Sequence, residues 1–226
     1  MDATTDQPAI LPDRPRVDAR RPVALIVGLV ATVLFVALRV AVDLDGGAPL
    51  AFDQWWDDAL AALANPVAVI IAWIPATVGG TIGMIVIGIS TTIVFLLVKR
   101  PWDALNVAGA IALVVLIGAP LAAVIARARP SDSLAETQAT SFPSGHTAVA
   151  TTIAITLALI LRRGWIWAAG VVWVLLMMWS RTYLHAHWLS DVTAGFLEGV
   201  AVSTLVWALV EAWRVRRAQR VVDASA

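Results

Sequence analysis

The chain has 226 residues, 60% of them hydrophobic, a mean hydropathy of +0.82 and 14% charged residues, against about 25% in an average soluble domain. Sixteen basic and sixteen acidic side chains cancel, so no bulk field points to nucleic acid. There is no cysteine, which excludes disulfides, thiol nucleophiles and thiolate metal sites.

Residues 1–21 are polar, carry Pro8, Pro12 and Pro15, and suit a disordered cytoplasmic tail. The first apolar run, about Val23 to Ala41, is longer than the core of a cleavable signal and lacks a clean small-x-small site; it reads as a first membrane span. Uncharged stretches near the roughly 20 residues that cross a bilayer recur. They place spans near 23–42, 78–98, 104–126, 146–161, 165–182 and 189–212. The expected fold is all-α, a polytopic bundle of about six transmembrane helices. The membrane domain covers 22–213, and a basic cytoplasmic tail covers 214–226.

Residues 66–98 hold no charge before Lys99, too long for one upright helix and too short for two with a turn. Charge decides between the counts. With one crossing, twelve basic residues fall on one side: Arg14, Arg16, Arg20, Arg21, Lys99, Arg100, Arg162, Arg163, Arg214, Arg216, Arg217 and Arg220. Positive charge gathers on the cytoplasmic side. Residues 54–76 are then an interfacial amphipathic helix, with Trp55, Trp56 and Trp73 at headgroup depth and Asp53, Asp57 and Asp58 facing water. One long tilted helix is the alternative. Trp102, Trp165 and Trp213 flank spans on the basic side, and Trp179 and Trp188 on the other, as an aromatic belt does. Lysine is nearly absent, with Lys99 the sole example, and Ala and Val are in excess; that composition suits a GC-rich bacterial genome.

Arg39, Arg127, Arg129 and Arg181 fall on the side where positive charge is disfavoured, and three of them lie in or beside polar motifs. His187 and Asp191, four apart at a helix start, share a face. A carboxylate accepting the Nδ1 proton fixes the imidazole tautomer and frees Nε2 to attack. Pro143-Ser144-Gly145-His146 precedes an apolar helix; Ser144 suits an N-cap, and the helix start with Gly145 suits an anion. His146 could protonate a leaving oxygen. Arg129 and Arg181 carry guanidinium forks that match phosphate oxygens. Each feature also has a bland reading, as a cap, a hydrogen bond or a snorkelling arginine.

Together these residues resemble the type 2 phosphatidic acid phosphatase family, membrane relatives of vanadium haloperoxidases. The family pattern runs Lys-x6-Arg-Pro, Pro-Ser-Gly-His, Ser-Arg-x5-His-x3-Asp. The second motif matches at 143–146 and the third at 180–191; the resemblance covers about residues 20–215. It implies His187 as the phosphate-accepting nucleophile, Asp191 as its orienting partner and His146 as general acid. It implies Arg129, Ser144, Gly145 and Arg181 as phosphate holders, no metal and no other cofactor. The expected activity is hydrolysis of a lipid phosphate at the outer membrane face, with both termini cytoplasmic in a bacterial inner membrane. Polyprenyl diphosphate, phosphatidylglycerol phosphate and phosphatidate are the candidates, and the bilayer is the partner. A lipid phosphotransferase with the same histidine, and a weakened scaffold or transporter, are the rivals.

The first motif departs from the family: Ala122 stands where lysine is expected. Arg127 is the nearest substitute as an outer phosphate contact, provided the helix unwinds near Ala126–Pro130. His185 and Glu136 carry less weight, Met177 and Met178 suit core or lipid-facing positions, and Glu198 is a buried carboxylate that could pair with Arg39 or Arg127 or simply be protonated.

Overall fold

The structure, a computed structural model, describes residues 17–135 and 140–224. Glu136 and the three tail prolines lie outside them. Among the described residues all regular structure is helical: α1 (Arg21–Leu44), α2 (Ala51–Ala62), α3 (Pro66–Val78), α4 (Thr81–Leu97), α5 (Pro101–Ile125), α6 (Gly145–Leu161), α7 (Gly164–Tyr183) and α8 (Leu189–Ala224). Local chemistry sets several ends. Proline opens α1, α3 and α5, where its missing N–H costs nothing. Asn65 caps α3 by accepting from the Ala68 N–H at 2.9 Å. α5 and α6 stop at residues in the left-handed region, Ala126 and Arg162.

Helices α1, α5, α7 and α8 are each long and apolar enough to cross a membrane. α3 and α4, bent by 44° at their junction, make a fifth span if counted as one. α6 has 17 residues, about 25 Å of rise against a hydrocarbon core of about 30 Å. The expected six spans therefore come down to α6. It is packed inside the bundle, against α5, α7 and α8.

The region expected as one interfacial helix over 54–76 is two helices, because Asn65–Pro66 forms a helix start in its middle. α3 instead leans on α7, where Ser180 Oγ donates to the Ala72 carbonyl at 2.5 Å. Residues 214–224 continue α8.

α8 is the post of the bundle. α1 lies along one side and α6 along another, both at close range. Glycines make this possible: a β-carbon at Gly28 would sit 2.6 Å from Thr204 Oγ1, and one at Gly199 2.7 Å from the Ala148 carbonyl oxygen. The outer faces of α1 and α4 expose Ile26, Leu29, Val33, Ile85 and Ile89, an inverted surface that suits lipid.

The two ends of the bundle differ. At one, Arg20 donates to the Leu159 carbonyl, Arg21 to that of Ala208, and Trp102 meets Trp213 edge-on at 5.4 Å. Asp18 joins this end through Arg20 and Arg162, and the Arg20 hydrogen bond holds its carboxyl down to about 2. The other end gathers the close of α5, the start of α6, the close of α7 and the start of α8. Trp188 Nε1 donates to the Ala128 carbonyl there, and the Ser144 N–H to that of Asp191.

Candidate active site

The Ser180–Asp191 motif is a helix end, a turn and a helix start. Arg181 closes α7, buried to 2% exposure. Its carbonyl accepts from the N–H groups of Ala186 and His187, and His185 takes a positive φ of 50°. The turn brings His187 back over Arg181 and starts α8 two residues later.

His187 is 4% exposed. Its Nδ1 lies 2.7 Å from the Ser141 carbonyl oxygen and 3.7 Å from Asp191 Oδ2. The shorter contact is a hydrogen bond and the longer is not. Nδ1–H therefore donates to a backbone carbonyl, where the sequence pointed to the Asp191 carboxylate. Either acceptor leaves Nε2 unprotonated and nucleophilic. Arg129 stands on that side: its Nη1 is 3.2 Å from Nε2, and the same nitrogen donates to the Ala186 carbonyl. An oxyanion transferred to Nε2 would meet this guanidinium.

Asp191 Oδ2 accepts from the Trp188 N–H at 2.9 Å, capping the first turn of α8, and Oδ1 accepts from Arg127 at 2.5 Å. α6 begins alongside. Ser144 is fully buried at the N-cap position, but its side chain makes no cap bond; its hydroxyl accepts from Thr147 at 3.2 Å. Gly145 has open space: a β-carbon there would meet nothing within 4 Å. Its backbone N–H is thus reachable by an anion at a helix start. His146 follows in the first turn, half-buried. At Gly195 a β-carbon would come within 2.4 Å of the Ser144 carbonyl oxygen, so this glycine sets how closely the two motif helices approach.

Arg127 is placed differently from the expectation. The helix does unwind at Ala126, but the side chain then turns under the histidine. Nε donates to the Gly47 carbonyl (3.2 Å), Nη1 to Ser190 Oγ (2.6 Å) and Asp191 Oδ1 (2.5 Å), and Nη2 to the Ala48 carbonyl (3.0 Å) and Asp53 Oδ2 (2.8 Å). An arginine has five N–H donors, and these five acceptors use them all. A phosphate could reach Arg127 only by breaking one of these bonds. The lysine position stays alanine, with no replacement from Arg127 in this arrangement.

Asp53 also departs from expectation. It was expected to face water and is 1% exposed. It accepts from the Ser190 N–H and Oγ, both at 2.7 Å, from Arg127, and from the Leu50 N–H at 3.0 Å. Nothing in the sequence distinguishes it from Asp57 and Asp58. The Ser141 carbonyl is likewise invisible in a sequence, because every residue has a carbonyl. Asp57 is partly buried beside His185, 2.9 Å away; burial pushes its carboxyl up and His185 opposes the rise. Glu198, two turns below Asp191, is 3% exposed, and neither oxygen has a hydrogen-bond partner among the described residues, so of the alternatives the pairing with Arg39 or Arg127 is absent. A cavity of about 750 Å³ lies between the ends of α1 and α5, bounded by Val42, Ile125, Arg129 and Trp188.

Comparison with known proteins agrees with the motifs. Over 84 residues the chain is 33% identical to an undecaprenyl-diphosphatase of Sulfolobus acidocaldarius; the match spans 37% of this chain and 40% of that protein. The fold superposes on a transmembrane PAP2-type phosphatidylglycerolphosphate phosphatase from Bacillus subtilis with a TM-score of 0.69 at 21% identity, covering 84% of this chain and 96% of the other. It superposes on Aquifex aeolicus LpxE with a TM-score of 0.61 at 23% identity, covering 70% and 95%. Residues 103–214, which hold every motif residue, match the model of the PAP2 superfamily, and the chain belongs to that superfamily.

Proposed function

We propose that the protein is a membrane lipid phosphatase working through a phosphohistidine at His187, with a polyprenyl diphosphate as the favoured substrate. The observation that carries this reading is the setting of His187: buried, Nδ1 tied to a carbonyl, Nε2 beside the Arg129 guanidinium.

In the first step Nε2 attacks the terminal phosphorus in line, and the bond from phosphorus to the bridging oxygen breaks. His146 gives its proton to that departing oxygen. Arg129, Arg181 and the Gly145 N–H hold the equatorial oxygens, where charge spreads during transfer. In the second step water attacks the phosphohistidine, His146 takes its proton, the N–P bond breaks and inorganic phosphate leaves. For a polyprenyl diphosphate the first product is the polyprenyl monophosphate. The named activity of the Sulfolobus relative supports this choice.

Purified protein in mixed micelles should release phosphate from polyprenyl diphosphate faster than from phosphatidylglycerol phosphate or phosphatidate. It should do so with no acceptor alcohol and in the presence of a strong chelator. Transfer only when an acceptor is added would make it a phosphotransferase. Loss of turnover in chelator would point to a metal enzyme.

The site belongs on the outer face, with both termini in the cytoplasm. Arg20, Arg21, Arg100, Arg162 and Arg163 collect at the end opposite His187, as the positive-inside tendency requires. The natural chain has no cysteine, so single cysteines report cleanly. Asp45→Cys and Ser131→Cys, both at exposed positions, should react with an impermeant thiol reagent in intact cells, and exposed Arg163→Cys should not. The reverse pattern would turn the protein over and place the site inside.

A further inference from the structure

We propose that Asp53 and Arg127 are positioning residues for the histidine chemistry, and that α2 thereby forms part of the active-site framework. The inference rests on His187 being the nucleophile.

Arg127 holds the histidine from two sides. Its main-chain carbonyl accepts from the Ser141 N–H at 2.9 Å and from Ser141 Oγ at 3.3 Å. The Ser141 carbonyl is in turn the acceptor for His187 Nδ1. The Arg127 side chain grips Asp191 Oδ1, whose other oxygen caps Trp188, the residue after the histidine. Arg127 thus fixes the ring through the Ser141 carbonyl and the backbone beside it through the Asp191 carboxylate.

Asp53 fixes Arg127. It sits in the first turn of α2, reaches across to α8 and binds Ser190 through both backbone and hydroxyl while pairing with the guanidinium. The side chains of Asp53, Arg127 and Asp191 are fully buried. Two carboxylates share one guanidinium, with Ser190 bridging. A buried ion cluster of this kind is a poor way to gain stability, because desolvation offsets the attraction, whereas it fixes geometry strictly. A further contact ties α2 to the end of α7: Trp56 Nε1, one turn along α2, donates to Thr182 Oγ1 at 3.0 Å.

The test compares Asp53→Asn with wild type for kcat, KM and inhibition by vanadate, an oxyanion that takes the five-coordinate shape of phosphoryl transfer. The asparagine amide cannot accept at all the places the carboxylate does, so Arg127 and Asp191 shift. A displacement on the order of 1 Å costs about 10²-fold in rate, so kcat should fall roughly ten- to a hundredfold. KM should change less than about threefold, and the inhibition constant for vanadate should rise in step with the loss of kcat/KM. A purely structural role would lower the active fraction and leave the vanadate constant of the remaining enzyme at the wild-type value; that result overturns the proposal, as does kcat within about twofold of wild type.

Arg127→Gln strands two buried carboxylates and risks misfolding, so it is read beside the double variant Asp53→Asn/Arg127→Gln, which leaves only one. The double variant should fold and still be impaired in kcat at least as much as Asp53→Asn. Recovery toward wild-type turnover would overturn the positioning role. Asp58→Asn, exposed on the same helix, serves as the control and should behave as wild type. Wild-type protein that neither releases phosphate nor binds vanadate would defeat the phosphatase reading and this inference with it. A normal wild type with an unaffected Asp53→Asn defeats the inference alone.

Discussion

Replacing His187 with alanine is expected to lower phosphate release by at least about 10⁴-fold, the scale seen when the nucleophile of a covalent mechanism is removed. Folding is to be checked beside activity, because the buried ring's contacts with the Ser141 carbonyl and Arg129 are lost. Asp191→Asn should be milder, about ten- to a hundredfold, the cost of a misplaced group and not of an absent one. The geometry gives the reason: Asp191 lies 3.7 Å from Nδ1, and a carbonyl at 2.7 Å supplies the direct bond. Acid quenching destroys a phosphoramidate while alkaline quenching preserves it. Wild-type enzyme quenched in alkali should therefore carry label from the substrate, and His187→Ala should not. Undiminished turnover in His187→Ala would end the covalent mechanism.

Loss of His146 should cost about 10²–10⁴ in rate on a lipid substrate, the usual contribution of a general acid. The penalty should depend on the leaving group. An aryl phosphate departs without needing a proton, so its first step should be nearly normal in His146→Ala. Water activation in the second step is still missing, and the phosphoenzyme should accumulate. The position fits both tasks, because His146 lies in the first turn of α6, two residues from Ser144, whose N–H binds the Asp191 carbonyl. An equal loss on lipid and aryl substrates, with no accumulation, would remove His146 from acid–base work.

Most of this architecture was legible in the chain. The alternation of uncharged runs with arginine pairs marks the long helices, because a bilayer tolerates little else. Spacing put His187 and Asp191 near each other, although His187 lies in the turn before α8 and not on its face, and the two intact motifs named the family. The α2–α3 region was legible only in part. The Asn65–Pro66 start signal is local and could have been used, but the fate of Asp53 was not local. Three acidic residues lie within six positions of one another, and only long-range contact decides that one is buried while Asp58 stays in water.

By itself the sequence determined the helical membrane class and the family, since each depends on composition or short-range spacing. Only the tertiary structure decided which acceptor orients His187 and what Arg127 does. The Ser141 carbonyl is 46 residues from His187, and Asp53 is 74 residues from Arg127 and 137 from Ser190. A hydrogen bond needs its atoms within about 3.2 Å, and across such separations no sequence periodicity specifies that. The packing of α8 against α1 and α6 does, by bringing the four helix ends and α2 to one place.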